Sequence, residues 1–199
     1  DQTVQSGTPP YDLQYGSSYT KEDLDAALQR EDPFSLVPSR DENGHGTALA
    51  GIAAGREALE EDFTGAAPEA MIAAVKLKEA KNYLKELFYV TGDAPAYQST
   101  DIMMGIRYLL RLADELKKPL VLCLGVGSNQ GAHSGTSPLD SMLSATDNYR
   151  GVYAVTAAGN EAGKAHHYYG TALNSQDYDA VEILVDPNTR GFCVELWGQ

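Results

Sequence analysis

The sequence is short of cysteine, of positive charge and of long apolar runs, and each shortage excludes a class of protein. Its two cysteines, Cys123 and Cys193, cannot build a disulfide framework. Both lie in apolar stretches, Leu120-Val121-Leu122-Cys123-Leu124 and Phe192-Cys193-Val194. Each therefore reads as a buried free thiol, Cys123 in a central strand and unpaired with Cys193. Only 15 Lys and Arg stand against 28 Asp and Glu, so the net charge is -13. That balance argues against nucleic acid and against an anionic membrane surface as partners. No stretch reaches the roughly 18 consecutive apolar residues of a bilayer span. The opening Asp1-Gln2-Thr3-Val4 has neither the basic region nor the apolar core of a signal peptide. A leader would have to precede residue 1, so the compartment is not legible. The glycine loop that follows residue 124 has no GxGxxG and no Walker lysine, and neither His-Glu-x-x-His nor Cys-x-x-Cys spacing occurs. What remains is a chain of 199 residues with 43% apolar and 22% charged residues, enough for one globular domain, or one and the start of another.

Read in order, residues 1–19 are irregular, rich in Gly, Ser, Thr, Pro and Tyr. Thr20 caps a helix carrying Leu24, Ala27 and Leu28 on one face, with Asp23 placed to complete the cap and Pro33 beyond its end. Residues 44–55 hold four glycines in twelve positions. A helix there needs packing to compensate, so it is expected between layers, where small residues let backbone approach closely. Met71–Leu77 has the length and composition of a strand, and Lys78–Phe88 those of a helix. Ile102, Ile106, Leu109, Leu110, Ala113 and Leu116 recur at helical spacing behind a Thr100 or Asp101 cap, and Pro119 stops that helix. Leu120–Leu124 and Val152–Ala158 read as buried strands, with a helix opened by Ser137 and Pro138 between them. Apolar strands alternating with helices predict an α/β fold with a parallel sheet covered on both faces. Val181–Val185 and Phe192–Trp197 lack an intervening helix and read as an antiparallel pair, so a boundary is expected near residue 172.

Three short constellations carry chemistry. In Asp41-Glu42-Asn43-Gly44-His45-Gly46-Thr47, a His between glycines at a helix start offers the open approach that a general base needs. A capping or surface His would look the same. Ala157-Ala158-Gly159-Asn160-Glu161 ends a parallel strand, where ligands of open α/β sheets gather. Asn160 can donate its amide hydrogens to a developing oxyanion there, or simply make a turn. Leu124-Gly125-Val126-Gly127 ends the preceding strand and could pair with an extended peptide or, more weakly, cradle a phosphate. The adjacent His166 and His167, with His133, have no metal-ligand spacing and read as surface residues. The acidic run Glu57–Asp62 lacks the pattern of a calcium loop and reads as a solvated face.

Taken together, His-Gly-Thr-x-x-Ala-Gly, a strand ending in Leu-Gly and a strand ending in Ala-Ala-Gly-Asn resemble the subtilisin-like serine proteases (subtilases, peptidase family S8). Gly65-Ala66-Ala67-Pro68 and the Ala73–Lys76 strand agree, so the resemblance spans residues 40–163. Phe34–Ser39 and His166–Gly170 resemble the Csp-type germination proteases of clostridia. The resemblance implies a three-layer α/β domain over 1–172, with 173–199 opening a β-rich insertion. It implies that His45 is the catalytic base and Asn160 the oxyanion donor. Leu124, Gly125, Val126, Gly127, Ala157, Ala158 and Gly159 become walls of the substrate pocket, and Tyr97 and Gln98 lie loosely where the other substrate-pairing edge belongs. The implied partner is a polypeptide and the implied location extracellular or spore-associated. No cofactor is called for, although calcium accompanies the family without an identifiable site here.

The departures are as informative. No acid in residues 1–40 sits in the apolar run that carries the family's Asp, and the one Gly-Thr-Ser, Gly135-Thr136-Ser137, precedes the Asn instead of following it. Ser137 therefore reads as a helix cap. The chain is expected to be a middle piece of a longer protease, inactive alone and prone to self-association. The rival reading is a pseudoprotease that binds or signals. If the subtilase reading holds, His45 and Asn160 must lie within about 15 Å of one another at one edge of the sheet.

Overall fold

The protein is represented by a computed structural model that describes residues 1–170 and 178–198. The helices are α1 (Lys21–Leu28), α2 (His45–Ala54), α3 (Asn82–Leu87), α4 (Ser99–Leu116) and α5 (Pro138–Ala145). The strands are β1 (Leu120–Leu124) and β2 (Val152–Thr156). They pair in parallel, Leu120 opposite Val152 and Leu124 opposite Thr156. A parallel pair needs a crossover, and α5 supplies it. The architecture is a partial α/β fold, as expected.

Local chemistry sets the element ends. The Thr20 hydroxyl accepts from the Asp23 amide while the Asp23 carboxylate accepts from the Thr20 amide, and Ser137 with Asp140 repeats this reciprocal cap at α5. Ser137 is thus the cap expected of it. At its far end α4 turns through Lys117 in the left-handed region, at φ 52°, two residues before Pro119. The apolar face of α4 packs against β1 and α5. Ile106 on α4 and Leu122 on β1 are each only 2% exposed and mark the core.

Asp101 does not cap α4. Gln98 holds the N-cap position, and Asp101 is buried in a polar network. Its carboxylate accepts from the Tyr15 hydroxyl and faces the Lys78 ammonium at 3.1 Å, while its carbonyl accepts from Gln2 Nε2 at 2.7 Å. Burial and the bond to Asp101 push the Tyr15 hydroxyl pKa up. A buried carboxylate without such partners would be costly, so this network ties the N-terminal segment to the start of α4.

Further expectations are corrected. Cys123 is exposed, as is Cys193, and both are free. The reason lies in the alternation along β1: Leu122 is buried on one face, while Val121 and Cys123 on the other are exposed, as are Tyr153 and Val155 of β2. An uninterrupted apolar run cannot say which face is covered. Second, α2 forms where expected but has no buried residue. Third, residues 71–77 form no strand; the Lys76 carbonyl accepts from the Gln2 amide at 2.9 Å, but no ladder continues. Lys78–Phe88 likewise shortens to α3. Fourth, residues 181–185 and 192–197 form no strands. Leu184 and Leu196 are more than 90% exposed, and an isolated pair of strands without a covered face is only marginally stable. The boundary expected near residue 172 lies outside the described residues.

Candidate active site

The start of α2 is built by side chains that reach in from the preceding turn. Gly44 occupies the N-cap position at φ +83°, a left-handed conformation that glycine adopts without strain, and it has no side chain with which to cap. Asp41 takes over. Its Oδ1 accepts from the amides of Asn43 and Gly44 at 3.1 and 2.8 Å. Its Oδ2 accepts from the Thr47 amide at 2.9 Å and the Thr47 hydroxyl at 2.7 Å. The Thr47 hydroxyl, followed by the Gly44 and Thr47 amides, holds the Asp41 carboxyl well below the usual carboxylate range although it is exposed. Asn43 Oδ1 accepts from the His45 amide at 3.3 Å. The motif alone assigns Asp41 no role; its only signal is a carboxylate four residues before the His and a Thr two after it.

His45 is the first residue of α2 and is exposed. Its Nε2 lies 2.9 Å from the carbonyl oxygen of Gly125, just past the end of β1. A carbonyl only accepts, so in this arrangement Nε2 carries the proton. A Cβ at Gly125 would collide with Leu49 Cδ1 and come within 3.3 Å of His45 Nε2, so a larger residue there would have to shift both side chains. At the end of β2 the Ala157 amide donates to the Leu124 carbonyl at 3.2 Å, which extends the parallel pairing by one bond. Gly159 then turns the chain at φ +85°, and Asn160 follows, exposed. Because β1 and β2 are adjacent and parallel, Gly125–Gly127 and Ala157–Asn160 leave the sheet at the same carboxyl edge. His45 is held at that edge by Gly125. The topology thus gathers His45, the Leu124–Gly127 segment and the Ala157–Asn160 segment.

Beyond this edge the two loops are tied together. Asn129 Nδ2 donates to Glu161 Oε2, and His166 Nδ1 lies 2.8 Å from the same oxygen. The Asn129 bond, reinforced by His166, lowers the Glu161 pKa. The rings of His133 and His167 stack with centroids 4.4 Å apart. Among the described residues no cluster of His, Cys, Asp and Glu side chains gathers as a metal site. Glu57–Asp62 forms a tight turn closed by an Ala58–Phe63 bridge. Tyr97 is exposed, and Gln98 is taken up by the start of α4.

Residues 13–182 match the Subtilase family. The chain belongs to the subtilase family. The match extends on both sides of the 40–163 stretch that carried the resemblance. The solved structure of the CspB protease of Clostridium perfringens is similar to this subtilase, with a TM-score of 0.66 and 37% sequence identity. The likeness covers 78% of this chain and 31% of that one, so the subtilase spans about a third of its relative's length. It supports placement beside the Csp-type branch. No curated protein matches the sequence.

Proposed function

We propose that this chain supplies the general base and the oxyanion donor of a serine endopeptidase that cleaves polypeptides. His45 takes the proton from the nucleophilic serine and returns it to the leaving amine. Asn160 donates its amide hydrogens to the tetrahedral oxyanion. An extended substrate strand pairs with Leu124–Gly127, and Ala157–Gly159 form the facing wall. The observation that carries the reading is the 2.9 Å contact of His45 Nε2 with the Gly125 carbonyl, which puts an imidazole where two strand ends of a parallel sheet open. For catalysis Nε2 must be free of its proton, so the ring leaves that carbonyl when a nucleophile and a substrate strand enter.

The acid and the nucleophile come from elsewhere in the protease. Ser137 is unsuited as nucleophile, since its hydroxyl accepts from the Asp140 amide at 3.1 Å as a helix cap. The 199-residue chain by itself is therefore expected to cleave no peptide and to take no label from serine-directed phosphonates. Labelling at Ser137 would overturn that division of roles. In a chain of CspB-like length that contains these residues, His45→Ala should abolish peptide hydrolysis. Asn160→Ala should lower turnover by about 10²–10³, a magnitude taken from subtilisin itself. Full hydrolysis by both variants would remove the assignment. A longer chain with no nucleophilic serine would instead make this a binding module on a subtilase fold.

A further inference from the structure

We infer that Asp41 is the positioning residue of the site: its carboxylate fixes the orientation of His45 by clamping the first turn of α2 from four residues upstream. The inference rests on the reading of His45 as the base and adds the group that sets it. A helix begins with amides that have no partner inside it, and the residue at N-cap normally satisfies one of them. Here the N-cap residue is Gly44, whose left-handed backbone aims the chain but offers no acceptor. Asp41 replaces the missing side chain with both of its oxygens. One oxygen holds the turn before the helix through the Asn43 and Gly44 amides, and the other holds the first helical turn through the Thr47 amide and hydroxyl. His45 lies between these two anchor points, and its own amide is taken by Asn43 Oδ1.

The geometry also separates this role from that of a catalytic acid. All four of the carboxylate's bonds go to groups of the Asn43–Thr47 turn, and the contact of the His45 ring is with the Gly125 carbonyl. Asp41 therefore acts on the imidazole through the backbone. The N-terminal end of α2 carries the positive end of the helix dipole, which favours a carboxylate there. No residue of α2 is buried, so hydrogen bonds, the clamp among them, restrain its first turn.

The test uses the isotopically labelled full chain and reads amide exchange together with the histidine ring signals by NMR. Asp41→Ala should speed exchange of the Gly44 and Thr47 amides by about tenfold and shift the His45 ring resonances, while α4 amides keep their protection. Asp41→Asn, nearly the same shape, keeps one acceptor oxygen. It should preserve the Gly44 amide within about threefold and lose the Thr47 amide, with a smaller shift of the ring. Unmoved His45 ring signals in both variants, with the amides freed, would reduce Asp41 to a helix cap without influence on the site. Unchanged amide exchange would remove the clamp altogether. Both readouts concern where the ring sits, so failure here leaves the base assignment to the hydrolysis test of His45→Ala, and failure there leaves the clamp standing.

Discussion

Helices α2 and α4 belong to the same small fold and are held in place by opposite means. α4 runs for 18 residues and buries Ile106 against the core. α2 runs for ten and buries none of its residues. Its moorings are hydrogen bonds at the two ends. At the front stands the Asp41 clamp. At the rear, the carbonyls of Ile52 and Ala53 accept from the Ala66 and Ala67 amides at 3.0 and 2.9 Å, and the Gly55 carbonyl accepts from the Gly65 amide at 2.9 Å. Backbone comes that close only because the residues are small: a Cβ on Gly65 would stand 2.8 Å from the Gly51 carbonyl oxygen. One helix is a structural support stabilised by burial. The other holds His45, exposed, beside the carboxyl end of β1.

The largest test of this contrast is Ile106→Ala. Removing a side chain that is 2% exposed should cost about 2–5 kcal/mol in urea unfolding, and a loss below about 1 kcal/mol would break the claim that α4 is held by burial. Next comes Gly65→Ala. Its Cβ would meet the Gly51 carbonyl oxygen and the Ala54 amide nitrogen at 2.8 and 2.9 Å, both of them backbone. A loss of about 1–3 kcal/mol is expected, with faster exchange at Ala66 and Ala67. Gly51→Ala sharpens the comparison by reversing the sign. A Cβ there has nothing within 4 Å, so helix propensity should raise stability by up to about 1 kcal/mol in thermal unfolding. Destabilisation instead would mean that the helix is packed more tightly than its exposure shows.

The smallest effect is the acid response of α2. The Asp41 carboxyl has a lowered pKa in the folded chain, mainly through the Thr47 hydroxyl and then the Gly44 and Thr47 amides. A depressed folded value means that the contribution is complete above the unfolded value of about 3.9 and is lost as pH falls through the folded one. The Thr47 amide signal should therefore hold steady from neutral pH down to about 4 and move only in stronger acid. Movement near the unperturbed carboxylate value would show that the clamp is not formed in solution.

Much of the scaffold was legible because it depends on neighbours in the chain. Thr20 with Asp23, Ser137 with Asp140, the apolar face from Ile102 to Ala113 and the stop at Pro119 all act over a few residues. The parallel pairing of β1 and β2 also followed, since two apolar runs separated by a helix have few other ways to pair. The candidate site was half legible. His45 and Asn160 stand out by motif, but the clamp from Asp41 does not, because a bond from a side chain three residues before a glycine cap leaves only a faint composition signal. The errors share one physical origin. Residues 120–124, 71–77, 181–185 and 192–197 are largely apolar, and apolarity states a preference for burial without naming the surface that provides it. Cys123 is exposed because only the Leu122 face of β1 is covered.

By itself, then, the sequence determined the caps of α1 and α5 and the stop of α4 before Pro119, the parallel pairing of β1 with β2, and a resemblance to the subtilases carried by His45, the Leu124–Gly127 segment and Asn160. These follow from short-range hydrogen bonding, periodicity and motif. Only the tertiary structure decided that Gly125 and not a larger residue meets the His45 ring, that α2 hangs on hydrogen bonds from Asp41 and Ala66–Ala67 while α4 rests on its apolar face, and that one face of β1 stays open. Those outcomes depend on groups distant in sequence arriving within a few ångströms of one another, and no local pattern encodes that arrival.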